Sequence, residues 1–216
     1  MENIVIVGAG GFGREVLWLL ERINAEAPSW NIIGFVDDTM AVGTMVDEHP
    51  VISDILTLAG SAQTTNVVVA VGASCGRKKV CEVLSKNINM VFPNIVDPSV
   101  LMSERVTLGH GNIMCAASVL TVDIVFGDFN VISVDCTVGH DAVFESYVTL
   151  YPSVNISGNT VLESCVEIGT GSQIIQKKRI GHDVIVGAGA VVVKDLPKGC
   201  TAVGVPAKPI KFHSEV

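Results

Sequence analysis

The sequence predicts a small Rossmann-like βαβ domain over residues 1–96, followed by a left-handed parallel β-helix of hexapeptide repeats over residues 97–216. Two observations carry this prediction. An apolar residue recurs at every sixth position through the second half of the chain, and the chain opens with strand, glycine-rich turn, helix and strand in that order. Asp97-Pro98 separates the two patterns and marks the predicted domain boundary.

The six-residue repeat runs from Met102 to Val192 through sixteen consecutive apolar positions. Glycine follows the apolar residue at six of these positions, and a small or β-branched residue precedes most of them by two. A period of six fits neither a helix nor an alternating strand, but it is typical of a β-helix in which each hexad is one short strand and a turn. We expect three hexads to make one coil, so that residues eighteen apart stack on each other.

Composition restricts the class of protein. The chain is 49% hydrophobic but only 5% aromatic, which suits a core of stacked valine and isoleucine. The formal net charge of −8 argues against nucleic acid or anionic membrane as partners. No apolar run reaches the roughly 20 residues of a membrane span, no export signal is visible, and no residues fall at metal-ligand spacing. We therefore expect a cytoplasmic, metal-free protein with six reduced, mostly buried cysteines.

The N-terminal domain begins with a predicted strand, Asn3–Val7, followed by the Gly-x-Gly-x-x-Gly turn Gly8–Gly13 and a helix over residues 14–23. These glycines allow a diphosphate to approach the helix N-terminus, although the motif is also compatible with a simple tight turn. A second strand, Asn31–Val36, ends in Asp37-Asp38, where a carboxylate can hold a ribose or sugar hydroxyl.

The rest of this domain is predicted from weaker signals. The expected elements are a loop (Thr39–Pro50), a helix (Ser53–Ala59), a strand (Asn66–Val71), a helix (Arg77–Asn87) and a strand (Met90–Val96). The turn Gly72–Ser74 should share a sheet edge with the first two strand ends. Three or four parallel strands are too few for a complete dinucleotide domain, so we expect a mononucleotide or nucleotide-sugar there rather than NAD.

Histidine is the candidate acid–base residue, because it titrates near neutral pH. His110 and His182 are 72 residues apart, a multiple of eighteen, and should share one face; His140 stands alone on another. One coil beyond His140 comes Gly158, about 4.8 Å away across the stack. A histidine base beside a backbone N–H donor suits acyl transfer, with Asp141 supporting the ring. The alternative is an ordinary solvated turn histidine.

The hexad run with its terminal Gly204-Val205-Pro206-Ala207-Lys208 resembles the hexapeptide-repeat acyltransferases. Together with Gly8–Gly13 and Phe35-Val36-Asp37-Asp38, it is similar over nearly the whole chain to bacterial sugar O- and N-acetyltransferases. These act in sialic acid and nucleotide-linked 4-amino-sugar biosynthesis. The resemblance implies a homotrimer with active sites at subunit interfaces, acetyl-CoA along the β-helix and a nucleotide-linked amino sugar on the N-terminal domain.

The resemblance also implies roles for particular residues. His140 and Asp141 match the catalytic base and its acidic neighbour, where many relatives have Glu at the second position. The acetyl-CoA-binding positions are Gly158, Gly187, Ala188 and Gly189. The substrate-binding positions are Gly10, Gly11, Phe12, Asp37, Asp38 and Gly72. Many relatives have His in place of Phe12, which leaves the sugar open.

These observations predict an acetyl-CoA-dependent N-acetyltransferase acting on a nucleotide-linked 4-amino-4,6-dideoxy sugar in bacterial glycan biosynthesis. Transfer is expected to be direct, because no Ser or Cys has a base beside it in the sequence. The alternatives are a sialic acid type O-acetyltransferase and a non-catalytic nucleotide-sugar-binding scaffold. Lys177-Lys178-Arg179 keeps the hexad phase and is expected to be a solvated corner, with binding of CoA phosphates as the alternative. A turn-rich cap should follow from Pro197 to Ile210.

Overall fold

The computed structural model describes residues 1–213 of the chain. It divides into two compact units, one over Met1–Pro98 and one beginning at Ser99. The predicted fold class is confirmed, because the first unit is a βαβ domain and the second is a parallel β-helix.

The first unit contains a six-stranded sheet in the order β3-β4-β2-β1-β5-β6. Strands β1, β2, β4, β5 and β6 are parallel, and β3 is antiparallel to β4. Its elements are β1 (Glu2–Val7), α1 (Gly11–Glu26), β2 (Trp30–Val36), β3 (Met45–Val46), β4 (His49–Ser53), α2 (Ile55–Ala59), β5 (Thr65–Val69), α3 (Ser74–Leu84), β6 (Met90–Val91) and β7 (Ile95–Val96).

Three predicted elements of this unit were wrong. The loop predicted over residues 39–50 contains β3 and the start of β4, joined by Asp47 and Glu48, which both adopt positive φ (42° and 68°). Such a tight hairpin is usually signalled by Asn-Gly or Asp-Gly, and this one has neither. The helix predicted over Arg77–Asn87 begins and ends three residues earlier, and the last predicted strand is two short strands, β6 and β7.

The second unit begins with sixteen strands of two residues each, which follow the predicted six-residue period without a break. They are β8 (Leu101–Met102), β9 (Thr107–Leu108), β10 (Ile113–Met114), β11 (Val119–Leu120), β12 (Val125–Phe126), β13 (Val131–Ile132), β14 (Thr137–Val138), β15 (Val143–Phe144), β16 (Thr149–Leu150), β17 (Asn155–Ile156), β18 (Val161–Leu162), β19 (Glu167–Ile168), β20 (Gln173–Ile174), β21 (Arg179–Ile180), β22 (Ile185–Val186) and β23 (Val191–Val192). The predicted turn-rich cap instead contains an antiparallel pair, β24 (Cys200–Val203) and β25 (Lys208–Phe212).

These strands form three faces. Within this unit, face one has the order β25-β24-β22-β19-β16-β13-β10, face two is β23-β20-β17-β14-β11-β8, and face three is β21-β18-β15-β12-β9. Each strand of the sixteen pairs in parallel with the strand eighteen residues away, as in Val119 with Thr137. The second residue of each strand from β10 to β23 points inward and is buried. These residues form the core of the unit.

The corners between faces are closed by two repeating features. The residue two before the inward residue is small and fully buried at many corners, as at Ser118, Cys136 and Ala142. One residue of each turn adopts the left-handed conformation, and it recurs every six residues from Ala117 to Gly189. Asp, Asn, Ser and Gly fill most of these positions. Of these residue types, Asp, Asn and Gly adopt the left-handed conformation most readily.

Candidate active site

His140 lies at the corner between faces two and three, in the four-residue turn that joins β14 to β15. Its ring Nδ1 lies 2.7 Å from the carboxylate of Asp141. This contact between neighbours forms because Asp141 adopts the left-handed conformation, with φ 57°. Both side chains are about half exposed, at 56% and 53%. Since Nδ1 faces the carboxylate, Nε2 is the ring nitrogen available to take a proton.

Gly158 packs against the face of the His140 ring from the next coil. A Cβ at residue 158 would lie 2.6 Å from both Cε1 and Nε2 of the imidazole, so any larger residue would push the ring away. A Cβ on Gly139 would likewise lie 2.7 Å from the Gly158 nitrogen. The Gly158 carbonyl accepts a hydrogen bond from the Lys177 N–H at 3.0 Å, and within residues 1–213 the Gly158 N–H donates none.

Asn159 completes this corner and was not expected from the sequence. Its backbone N–H donates to the His140 carbonyl at 2.8 Å, and its side-chain nitrogen lies 3.5 Å from Nδ1 of the ring. The second distance is too long for a strong hydrogen bond. The sequence does contain a signal for Asn159, namely its spacing of nineteen residues from His140. At this spacing the N–H of a left-handed corner residue lies next to a carbonyl oxygen of the preceding coil.

His182 forms a second histidine–aspartate pair at the corner between faces three and one. Its Nδ1 lies 2.9 Å from the carboxylate of Asp183, close to the separation in the His140 pair. The backbone that packs against Gly181, directly before His182, belongs to Lys198 rather than to a glycine. His182 therefore has an acidic partner, but no glycine occupies the position that Gly158 has relative to His140. This difference makes His182 an internal control for His140.

His110 lies on the same corner as His182, as the eighteen-residue spacing predicts, but its surroundings differ. Its Nδ1 contacts Asp128 from the next coil at 2.8 Å. Its ring also packs edge-on against Phe129, with ring centroids 5.0 Å apart. This histidine is held against an aromatic ring and has no open glycine beside it.

The predicted donor-binding turn, Gly187-Ala188-Gly189, lies at the corner between faces one and two. Ala188 and Gly189 are exposed, and nothing lies within 4 Å of the Cβ position of Gly189. A single chain does not bring this turn together with His140. The turn is displaced along the axis by between two and three coils, or roughly 13 Å at 4.8 Å per coil.

The first unit has a crevice at the carboxyl ends of β1 and β5. The strand order reverses here, since β1 has β2 on one side and β5 on the other. Open α/β sheets bind ligands at such a switch point. Helices α1 and α3 begin shortly after these two strands, and their N-cap residues, Gly10 and Ala73, make no capping hydrogen bond with a side chain of their own.

Glycines in this crevice fall into two kinds. Gly8 has φ 103°, and a Cβ on Gly13 would overlap the Gly8 carbonyl, so the turn itself requires both. Gly10, Gly11 and Gly72 have no left-handed φ, and a Cβ on any of them would meet nothing within 4 Å. The fold of the chain does not explain glycine at these three positions.

Asp37 and Asp38 follow β2 as predicted, but both carboxylates already accept hydrogen bonds from the chain. Asp37 accepts from the Ala9 N–H at 2.8 Å and from the backbone and hydroxyl of Thr39 at 2.7 and 2.6 Å. Asp38 accepts from the Ile55 N–H at 2.8 Å. Asp37 thus holds the glycine-rich turn in place, and Asp38 holds the start of α2.

The hydrogen bonds of Asp37 change its proton affinity. Partial burial raises the pKa of Asp37, but hydrogen bonds from the Thr39 side chain and from the amides of Ala9, Thr39 and Met40 outweigh it. The net pKa therefore lies below the usual value. The ionised form of Asp37 is the one that stabilises the turn.

Two other side chains of the first unit bear on this crevice. Arg77 is 1% exposed, and its Nη1 donates to the carbonyls of Val71 and Gly72 at 2.8 Å each, which fixes the turn after β5. Sequence reasoning missed it, because an arginine one turn into a helix carries no sign of burial. Phe12 is half-buried in the first turn of α1.

The cysteines are poor nucleophile candidates. None of the six forms a disulfide, and five of them are buried. Burial raises the pKa of Cys81 to about 12 and that of Cys136 to about 11. A buried thiol in an apolar setting stays protonated and inert. Within residues 1–213, no group of three or more His, Cys, Asp or Glu could hold a metal ion, and no helix is long and apolar enough to cross a membrane.

Comparisons with known proteins match both units. Residues 3–84 match the family model of the PglD N-terminal domain. A perosamine N-acetyltransferase from Caulobacter crescentus, solved as a histidine mutant with CoA and GDP-perosamine, is 29% identical, with 98% of each chain covered and a TM-score of 0.89. The acetyltransferase domain of PglB from Neisseria gonorrhoeae, solved with acetyl coenzyme A, is 30% identical over 97% of this chain and 99% of that chain, with a TM-score of 0.87.

Two further relatives agree. WeeI from Acinetobacter baumannii is 30% identical over 97% of this chain and 100% of that chain, with a TM-score of 0.86. A curated 2,3,4,5-tetrahydropyridine-2,6-dicarboxylate N-acetyltransferase from Staphylococcus aureus is 47% identical over 49 residues. That match spans only 20% of the curated relative's length and 23% of this chain.

The hexapeptide β-helix, in a chain that begins with a βαβ domain, defines the class of hexapeptide-repeat acyltransferases. Within that class, the matches that span both units decide the family. The chain belongs to the family of nucleotide-amino-sugar N-acetyltransferases.

Replacing Asp37 by Asn tests its structural role. At pH 7 we expect the free energy of unfolding to fall by about 1–2 kcal/mol, because charged hydrogen bonds to the Ala9 and Thr39 groups are lost. A depressed folded-state pKa means that wild-type Asp37 stabilises the fold above about pH 4, its unfolded value, and loses that effect as pH falls through the folded value. The difference between variant and wild type should therefore shrink as the pH falls below about 4.

Urea unfolding from pH 7 to pH 3 measures this difference. The matched control is Asp47→Asn, because Asp47 makes an exposed ion pair with Arg14 at 2.6 Å. Such pairs contribute little, so its effect should stay below about 0.5 kcal/mol. Equal effects of the two substitutions at pH 7 would contradict the role assigned to Asp37.

Proposed function

We propose that this protein is an acetyl-CoA-dependent N-acetyltransferase that acetylates the 4-amino group of a nucleotide-linked 4-amino-4,6-dideoxy sugar in bacterial glycan biosynthesis. The observation that carries the proposal is the corner formed by His140, Asp141 and Gly158. It presents a histidine nitrogen, an acid partner and a backbone N–H within a few ångströms of each other. Relatives that match both units are acetyltransferases solved with CoA, acetyl coenzyme A or GDP-perosamine.

The reaction requires one general base and one donor for the developing oxyanion. The neutral sugar amine attacks the thioester carbon, a C–N bond forms, and negative charge collects on the carbonyl oxygen. His140 takes a proton from the attacking nitrogen through Nε2, and the Gly158 N–H donates to the oxyanion. When the oxyanion collapses, the C–S bond breaks and the imidazolium returns its proton to sulfur, so CoA leaves as a thiol.

Asp141 supports this cycle in two ways. By accepting the Nδ1 proton it holds the tautomer in which Nε2 carries a free lone pair. It also stabilises the imidazolium that forms during the transfer. The raised pKa values of the buried thiols of Cys81 and Cys136 favour direct transfer over an acyl-enzyme on either of them, because a covalent route needs an activated nucleophile.

For the nucleotide-sugar we propose the crevice at the carboxyl ends of β1 and β5. Gly10, Gly11 and Gly72 line it without a structural need for glycine, which leaves room for a ligand to approach the backbone. The N-terminus of α1, where the N-cap residue is Gly10, suits a diphosphate. Phe12 and the exposed Asp38 are the side chains we assign to contacts with the substrate, and Asp37 positions the turn.

We further propose a homotrimer with active sites between subunits. His140 and the turn Gly187-Ala188-Gly189 lie at different corners of one chain, so a site that uses both needs a second copy. Closed cyclic symmetry supplies such a pairing at every interface. We assign the reaction to the cytoplasm, since six cysteines without a disulfide suit a reducing compartment.

The reaction class is tested by thiol release from acetyl-CoA with UDP-, dTDP- and GDP-linked 4-amino sugars. We expect turnover with at least one of them and none with the matching 4-hydroxy sugars. Free sialic acid serves as the control for O-acetylation. Thiol release with sialic acid alone would contradict the proposal and would favour an O-acetyltransferase.

Replacing His140 by Ala should lower turnover by about two to four orders of magnitude, the usual scale for loss of a general base. The control His182→Ala removes a histidine with nearly the same aspartate contact but without the glycine, and its turnover should stay within about twofold of wild type. Thermal melting of both variants checks that the fold is retained. Equal losses of turnover in the two variants would contradict the catalytic role proposed for His140.

The site between subunits is tested by mixing two inactive variants. His140→Ala lacks the base, and Ala188→Trp blocks the donor turn with a bulky exposed side chain. In randomly mixed trimers about a quarter of the interfaces combine two intact surfaces, so co-expression should restore about a quarter of wild-type activity. Light scattering checks for the trimer, and mixtures without activity would place both groups in one subunit's site.

A further inference from the structure

The three histidines that follow a glycine at a β-helix corner share one backbone contact. In each case a residue of the next coil donates its N–H to the histidine carbonyl at 2.8 Å. The donor residue is Phe129 for His110, Asn159 for His140 and Gly199 for His182. The three donors differ only in their side chains, and the donor at His140 is the one with a polar side chain.

The fold does not explain the carboxamide of Asn159. Its nitrogen lies 3.5 Å from Nδ1 of His140, and within residues 1–213 the carboxamide has no nearer hydrogen-bond partner. Asn159 adopts the left-handed conformation, with φ 57°. Aspartate adopts the same conformation at four other corners, namely at Asp123, Asp135, Asp141 and Asp183. Since both residue types tolerate it, the backbone gives no reason for Asn rather than Asp at residue 159.

The charges around His140 do distinguish Asn from Asp at this position. In the part of the chain that the structure describes, Asp141 is the one carboxylate within ion-pair distance of the ring. A carboxylate at residue 159 would be a second anion beside the ring, stacked one coil away from Asp141. The other charged residues along this corner are farther from the ring: Asp123 on the preceding coil, paired with Arg105 at 2.8 Å, and Lys177 two coils beyond.

We propose that Asn159 is a positioning residue, which holds the corner over His140 without adding a charge, so that the ring faces a single carboxylate. This inference rests on the proposed function, because it requires His140 to act as a base. A general base must begin the reaction unprotonated. A second carboxylate beside the ring would favour the imidazolium, and a smaller fraction of the enzyme could then accept a proton at a given pH.

The test is Asn159→Asp, which keeps the size of the side chain and the turn conformation and adds one negative charge. An added anion stabilises the protonated ring, so the acid side of the profile of kcat/KM against pH should move up by about one pH unit. On that side kcat/KM should be about tenfold lower than in the wild type. At alkaline pH, where both rings are neutral, the two enzymes should agree within about twofold. A uniform loss at every pH, or an unchanged profile, would overturn the proposal.

The matched control is Gly199→Asp, which adds the same charge at the equivalent position over His182. Gly199 is also left-handed, with φ 63°, and the nearest atom to a Cβ there is the His213 carbonyl oxygen at 4.0 Å. The pH profile of this variant should coincide with that of the wild type. Thermal melting checks the fold of both variants. An equal displacement of the two profiles would contradict the role assigned to Asn159.

An NMR titration of His140 keeps this test separate from the acceptor question. The imidazole signals of His140 are assigned by their loss in His140→Ala. Their midpoint should lie about one pH unit higher in Asn159→Asp than in the wild type, and Gly199→Asp should leave it unchanged. If no sugar is acetylated, the proposed function fails, but a displaced midpoint would still support the effect assigned to residue 159. Identical midpoints in the wild type and Asn159→Asp would refute it.

Discussion

The structure of the β-helix depends on one repeated backbone hydrogen bond. At each corner from Phe129 to Gly189 the left-handed residue donates its N–H to a carbonyl nineteen residues earlier, in the preceding coil. Asp141 donates to Val122, Asn159 to His140, and Lys177 to Gly158. This bond is possible only if the corner residue takes positive φ, a conformation that costs most L-residues about 1–2 kcal/mol. The stacked parallel strands on each side offset that cost, and the bond fixes which residues become neighbours.

The candidate site is a direct product of this register. His140, Gly158 and Lys177 are far apart in the sequence, yet consecutive corner bonds align them on one edge of the unit. Every hexad between Met102 and Val192 has six residues, so the inward side chains and the corner residues stay in phase. This unbroken period supports the site as well as the core.

The two histidine–aspartate pairs differ in the backbone that lies beside the histidine, and this difference follows from the number of residues in the coil. His182 precedes the last coil, where Ile180 pairs with Leu196, only sixteen residues later. The shortened coil brings Lys198 to the position that a glycine occupies beside His140. Nearly the same side-chain pair therefore stands in a different backbone setting. The difference arises from coil length, not from the histidine or its acid partner.

The features of the fold that follow from the six-residue period could be predicted from the sequence. The six-residue repeat gave the strands, the inward residues and the separation of His140 from His110 and His182. It could not reveal contacts that depend on unpatterned loops. The hairpin of β3 and β4 turns on Asp47 and Glu48, which carry no glycine signal.

The glycine-rich turn shows the same limit. Gly8 and Gly10 look alike in the Gly-x-Gly-x-x-Gly pattern, but only the three-dimensional surroundings show that the turn needs the first and not the second. The hydrogen bonds that Asp37 accepts from the backbone amides of Ala9 and Thr39 likewise give no signal in the sequence, because nearly every residue carries such an amide.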